Sequence, residues 1–131
     1  MATEKFVKHG LVSEVDAIGH RVRVTFDDND NVVSAWLPVL TPLASKDNIY
    51  MLPDVDEEVA CVFENNDSEQ GDGFCVGSVY NDKNKCKVND INKKRIDFDG
   101  GSFIEFDRST GNLLFNITGE FTVKASKINL N

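Results

Sequence analysis

No stretch of this chain carries apolar residues at helical spacing; they alternate with polar ones in short runs, and turn-forming clusters of Gly, Asn and Asp interrupt the runs. A period of two gives each run one dry and one wet side, which confines the chain to an all-β architecture. The clearest run, "HGLVSEVDAIGHRVRVTF", reads as two strands around a turn at Ile18 to His20, with Val22, Val24 and Phe26 opposite Arg21, Arg23 and Thr25. "DDNDN" closes a hairpin and "VVSAWLPVLTP" returns, its Pro38 and Pro42 barring a long central strand. "SKDNIYMLPDVDEE" is mostly polar around a short apolar patch at Ile49 to Leu52; a strand "VACVFE", a loop "NNDSEQGDG" and a strand "FCVGSVY" follow. Five or six short strands in residues 1–80 predict a small barrel of the OB type or a compact sandwich. Its core or subunit contacts are expected from Val22, Val24, Phe26, Trp36, Leu37, Val62 and Val76.

Residues 81–94, "NDKNKCKVNDINKK", are polar and lysine-rich and read as a linker. Beyond them, residues 95–131 are nearly all short alternating strands punctuated by Gly100, Gly101, Gly111 and Gly119. Ile96 and Phe98 share one face, then Ile104 and Phe106, then Leu113, Phe115 and Ile117, then Phe121 and Val123, then Ile128 and Leu130. A unit this small cannot bury all of those faces by itself. Two arrangements remain: a meander folded back over the first barrel, or strands from several chains wound around a shared axis. At about 1.5–3 kcal/mol per buried large apolar side chain, the second would hold an oligomer firmly, and three inward-facing sheets close naturally into a prism.

At 131 residues the chain has room for one real core, or one small domain with an appendage. It contains no long apolar span, and "MATEKFVKHG" has no apolar signal region, so the expectation is synthesis in the cytoplasm without a cleaved leader. A net charge of −8, spread along the chain, repels phosphate backbones and anionic membranes. The three cysteines form no C-x-x-C pair; Cys61 and Cys75 read as small buried hydrophobes in strands.

Motifs with chemistry are weak. Carboxylates cluster at Asp27, Asp28 and Asp30 and at Asp54, Asp56, Glu57 and Glu58, but in polar turn-like runs, where solvation and not general acid-base work is expected. "DDNDNVVSAWLPV" starts like a calcium loop yet lacks its glycine and its closing glutamate. "NIT" at Asn116 matches a glycosylation sequon inside an alternating strand. No catalytic residue, metal site or cofactor is expected. An OB barrel also admits an oligosaccharide or single-strand binding module. Basic residues, however, gather at Lys83, Lys85, Lys87, Lys93, Lys94 and Arg95, as a solvated linker or a seat on an acidic hub, and not in a groove with aromatics. Trp36 reads as a core or interface anchor more readily than as a ligand-stacking ring.

Taken in order, "GLVSEVDAIGHRVRVTF", "SAWLPVLTP", "YMLPDVDEEV", "EQGDGFCVGSVYND" and "RIDFDGGSFIEFDRSTGNLLFNITGEFTVKAS" resemble the baseplate assembly protein V family, the central spikes of contractile phage tails and related injection machines. The resemblance implies an N-terminal OB-fold domain (1–80), a linker (81–94) and a short β-prism or β-helix (95–131) formed by an intertwined homotrimer. It further implies a virion or tail-particle component, made in the bacterial cytoplasm and seated on a baseplate hub protein at the N-terminal side, which meets the target cell envelope when the sheath contracts. The trimer core would be Ile96, Phe98, Ile104, Phe106, Leu113, Phe115, Ile117, Phe121, Val123, Ile128 and Leu130. Longer family members end in an H-x-H tip that binds iron, and some carry an inserted lysozyme domain. Here the only histidines are His9 and His20, and no residues are spare for an added domain. The expectation is a short, blunt prism without metal or enzyme activity, either capped by a separate small tip protein or truncated relative to a longer relative, and no nucleic-acid partner.

Overall fold

The computed structural model describes residues 6–27, 31–64 and 73–131, which form strands and turns with no α-helix. The chain divides into two units, Met1–Lys85 and Cys86–Asn131.

In the first unit, β1 (Val7–Asp16) and β2 (Arg21–Phe26) form the hairpin expected from the alternation. Its turn is built by Asp16, whose Oδ1 accepts the amides of Ile18 and Gly19 at 3.2 and 3.1 Å while Oδ2 accepts Arg21 Nη2 at 2.6 Å. β1 serves two partners. Its C-terminal half pairs with β2, from Leu11↔Thr25 to Asp16↔Arg21, and its N-terminal half pairs with β5 (Glu58–Phe63), from Val7↔Val62 to Leu11↔Glu58. Gly10 sits where the strand passes from one to the other, and a Cβ there would overlap the Thr25 carbonyl oxygen.

The return from β2 is broken into β3 (Val32–Val33) and β4 (Leu37–Pro38), both antiparallel to β2. Buried Ser34 bridges the gap: its amide donates to Val24 O at 2.8 Å, its Oγ accepts the Val24 amide at 3.0 Å, and the hydroxyl donates to Ala35 O at 2.7 Å. β5 pairs with β6 (Gly73–Ser78), and β6 meets the end of the return through a parallel Val39↔Cys75 bridge and a Leu40 N–H to Cys75 O bond of 2.9 Å. With β3 and β4 counted as one interrupted strand, this is a closed five-stranded barrel in the OB order.

Its core is Val12, Val22, Val24, Phe26, Leu37, Val59, Cys61, Phe63 and Cys75, none more than 3% exposed, with the Phe26 and Phe63 rings edge to face at 5.8 Å. Val62 and Val76 do not belong to it: they are 39% and 47% exposed. "VACVF" is apolar at every position, so hydrophobicity leaves its phase open; the pairing Cys61↔Cys75 turns the cysteines inward and the two valines out. Trp36 is half-buried on the outer side, with the Arg21 and Arg23 guanidiniums 5.6 and 5.8 Å from its ring.

The second unit is a meander of β7 (Lys93–Asp97), β8 (Phe103–Asp107) and β9 (Asn112–Asn116). Gly100, Gly101 and Gly111 take φ of 91°, 98° and 79° at the two reversals, a region open to glycine without strain. The segment expected to be linker contributes Lys93 and Lys94 to β7. The segments expected to be strands around Phe121 and Val123 and around Ile128 and Leu130 form no ladder with the described residues of a single chain. A strand exists only against a neighbouring backbone.

Candidate functional site

The register of the meander sorts its side chains into two faces. Ile96, Ile104 and Phe115 lie directly across from one another, and Lys94, Phe106 and Leu113 form the adjacent row. The residues of the second unit leave this apolar face open. Ile96, Phe106, Leu113 and Phe115 are 41–58% exposed, Ile104 is half-buried, and the second unit contains no buried hydrophobic residue among those described. Phe121 stacks on Phe115 with centroids 5.5 Å apart, which extends the apolar surface into the tail. Ile117 is half-buried, whereas Phe98, Val123, Ile128 and Leu130 are exposed. The structure therefore brings together the expected strand residues Ile96, Ile104, Phe106, Leu113 and Phe115, and leaves Ile117 and the residues after it without partner strands among the described residues. Lys94 in an apolar row was not anticipated; alternation alone places it there.

The opposite face carries the charged residues, with Phe103 and Leu114 among them, and is tied together. Arg95 donates to Asp97 at 2.8 Å and to Glu105 at 3.2 Å, and lies 3.6 Å from the Phe103 ring centroid, while Lys93 reaches Glu105 at 4.0 Å. The Arg95 bond holds the Asp97 carboxyl below its ordinary value, and Ser109 does the same for Asp107 through its hydroxyl and amide. Arg95 is thus neutralised within its own sheet, and the basic cluster read from the sequence loses it as a free charge. In the barrel, Arg21 and Arg23 are similarly matched by Asp16 at 2.6 Å and Glu14 at 3.5 Å.

Chemistry is sparse elsewhere. A cleft of about 310 Å³ is lined by His20, Val39, Leu43, Ile49 and Tyr50 among others. Two of its polar atoms face backbone, His20 Nδ1 at 3.1 Å from Val39 O and Tyr50 Oη donating to Ala17 O at 2.8 Å, whereas His20 Nε2 is buried without a hydrogen-bond partner among the described residues. Glu57 accepts the Asp54 amide at 3.1 Å and the Ser78 hydroxyl, and Glu58 accepts Asn81 Nδ2 at 3.2 Å, so these carboxylates pin loops to the barrel. Asp28 and Asp30 lie outside the described residues. No group of His, Cys, Asp and Glu suited to a metal ion occurs among the described residues.

The dominant surface feature is therefore the apolar sheet face of the second unit. Residues 8–80 match the family described as the type VI secretion system/phage-baseplate injector OB domain. No curated protein matches the chain.

Proposed function

The chain belongs to the type VI secretion system/phage-baseplate injector OB-domain family and is a structural component of such a baseplate; on that premise we propose that it is the central spike, a homotrimer whose C-terminal meanders close into a short prism. The barrel seats the trimer on a hub protein, and the prism is the rigid point that first meets the target envelope. The role is mechanical: strand ladders shared among chains leave few free edges, and many hydrogen bonds must break together under load.

One observation carries this reading. Ile96, Ile104 and Phe115, with Phe106 and Leu113, form a register-matched apolar face that the residues of the second unit leave open. Three copies facing an axis would bury it, and residues 117–131 would gain ladder partners from neighbouring chains. Like charge totals −24 for three chains of −8, so it must be carried outward.

Light scattering tests it directly. The expected mass is three times 14.6 kDa, and Phe115→Asp should lower it to one chain, because a charge on a dry axis has no partner. A trimer that survives both Phe115→Asp and Ile117→Asp would mean that another face points inward. A monomeric wild type that binds glycans or single strands at moderate salt would instead favour the OB barrel as a binding module.

A further inference from the structure

Cys61 and Cys75 share no short motif, yet the fold makes them direct cross-strand partners in β5 and β6. Both are fully buried, both belong to the barrel core, and both carry free thiols. Antiparallel partners have Cα atoms about 4.5–5.5 Å apart, within the roughly 4.4–6.8 Å span that a disulfide bridges. The register shifts between Ala60 and Cys61, immediately beside the pair, and such a bulge lets a strand twist locally.

The thiols are not equivalent. The neighbouring Cys61 thiol draws Cys75 towards the thiolate, helped by the Gly77 amide, while interaction with Cys75 and burial push the Cys61 thiol up.

We propose that Cys61 and Cys75 form a redox-active dithiol that a peroxide converts to an intramolecular disulfide, stapling β5 to β6. The Cys75 thiolate attacks one peroxide oxygen and the O–O bond breaks. A sulfenic acid forms on Cys75, and the departing hydroxide takes up the proton that the Cys75 thiol had released, giving water. The Cys61 sulfur then attacks Cys75 sulfur as its own proton passes to the sulfenic hydroxyl, which leaves as a second water. Two thiols lose two electrons and one peroxide becomes two waters. Hydrogen peroxide is small and uncharged, so brief local opening of the barrel between β6 and the Val39–Leu40 segment is enough to admit it.

The experiment uses full-length protein carrying Cys86→Ser, which removes the exposed third thiol, with wild type alongside. After hydrogen peroxide treatment at neutral pH, denaturation and alkylation, the variant should be about 2 Da lighter than its reduced form and take up no alkylating agent. Peptide mapping should recover residues 61 and 75 in one linked species, and dithiothreitol should restore both alkylation sites. Cys75→Ala should abolish the mass loss. Oxygen added to either sulfur without cross-linking, a bond between two chains, or both thiols still reduced when Cys86 of the wild type has been oxidised would each overturn the proposal.

Discussion

At the residue scale the barrel separates side chains of identical type by phase alone. Val59 is fully buried and Val62, three positions along the same strand, is 39% exposed. Substitutions should divide accordingly. Leu37→Ala, in the core, should cost about 2–5 kcal/mol through lost transfer energy and the cavity left behind, whereas Val62→Ala should stay within about 0.5 kcal/mol. Paired urea melts of the two variants check this, and equal losses would mean that the phase of β5 is wrong. Gly10 is constrained differently, since any Cβ there collides with backbone at Thr25 instead of a side chain that could move. The Cys61–Cys75 pair belongs to this scale too: a disulfide closing a loop of about 15 residues stabilises by about 3 kcal/mol on the chain-entropy account. Oxidised protein should therefore unfold at higher urea than reduced protein, with the Cys75→Ala variant indifferent to peroxide.

At the element scale the second unit depends on its turns and its polar face. Asp97 is held below its ordinary value of 3.8, chiefly by the Arg95 hydrogen bond, and Asp107 likewise by Ser109. A carboxylate with a lowered folded pKa contributes stability that is fully present above the unfolded value and lost as pH falls through the folded one. Thermal melts from neutral pH downward should thus hold nearly level and then drop below about pH 4, and Asp97→Asn should remove part of that acid limb; an unchanged limb would mean that the Arg95–Asp97 pair contributes nothing. Asp97 is exposed and Asp107 only half-buried, so solvent screens both and the drop should be shallow. Elements of this kind were legible in the sequence where alternation was strict: β1, β2 and the three strands of the meander fall on the runs that predict them. Three things were not. The phase of "VACVF" was undetermined because apolar residues fill both faces. The neutralisation of Arg95 required the cross-strand register that puts Glu105 opposite it. The pairing of Cys61 with Cys75 depended on a bulge, which no local pattern announces.

At the scale of the whole molecule, buried apolar residues are confined to one unit. Every member of the core lies between Val12 and Cys75, and the exposed large apolar residues of the second unit include Ile96, Phe106, Leu113, Phe115 and Phe121. Hydrophobic burial is the main term favouring folding, so the first unit has the means to fold as a single chain and the second does not. A protein ending at Lys85 should accordingly remain folded and monomeric. It should show strand circular dichroism, a cooperative urea transition, and a mass of one chain by light scattering. The complementary piece from Cys86 onward should be disordered when dilute and gain strand signal only as concentration rises, since mass action governs a structure whose core is made between chains. The two outcomes are separable. A truncated barrel that still forms trimers would move the assembly contacts to the first unit, where Val7, Val62 and Phe74 stand in one exposed cross-strand row. A C-terminal piece whose strand signal does not depend on concentration would show that three strands and fifteen further residues suffice without partners, against the burial argument on which the trimer rests.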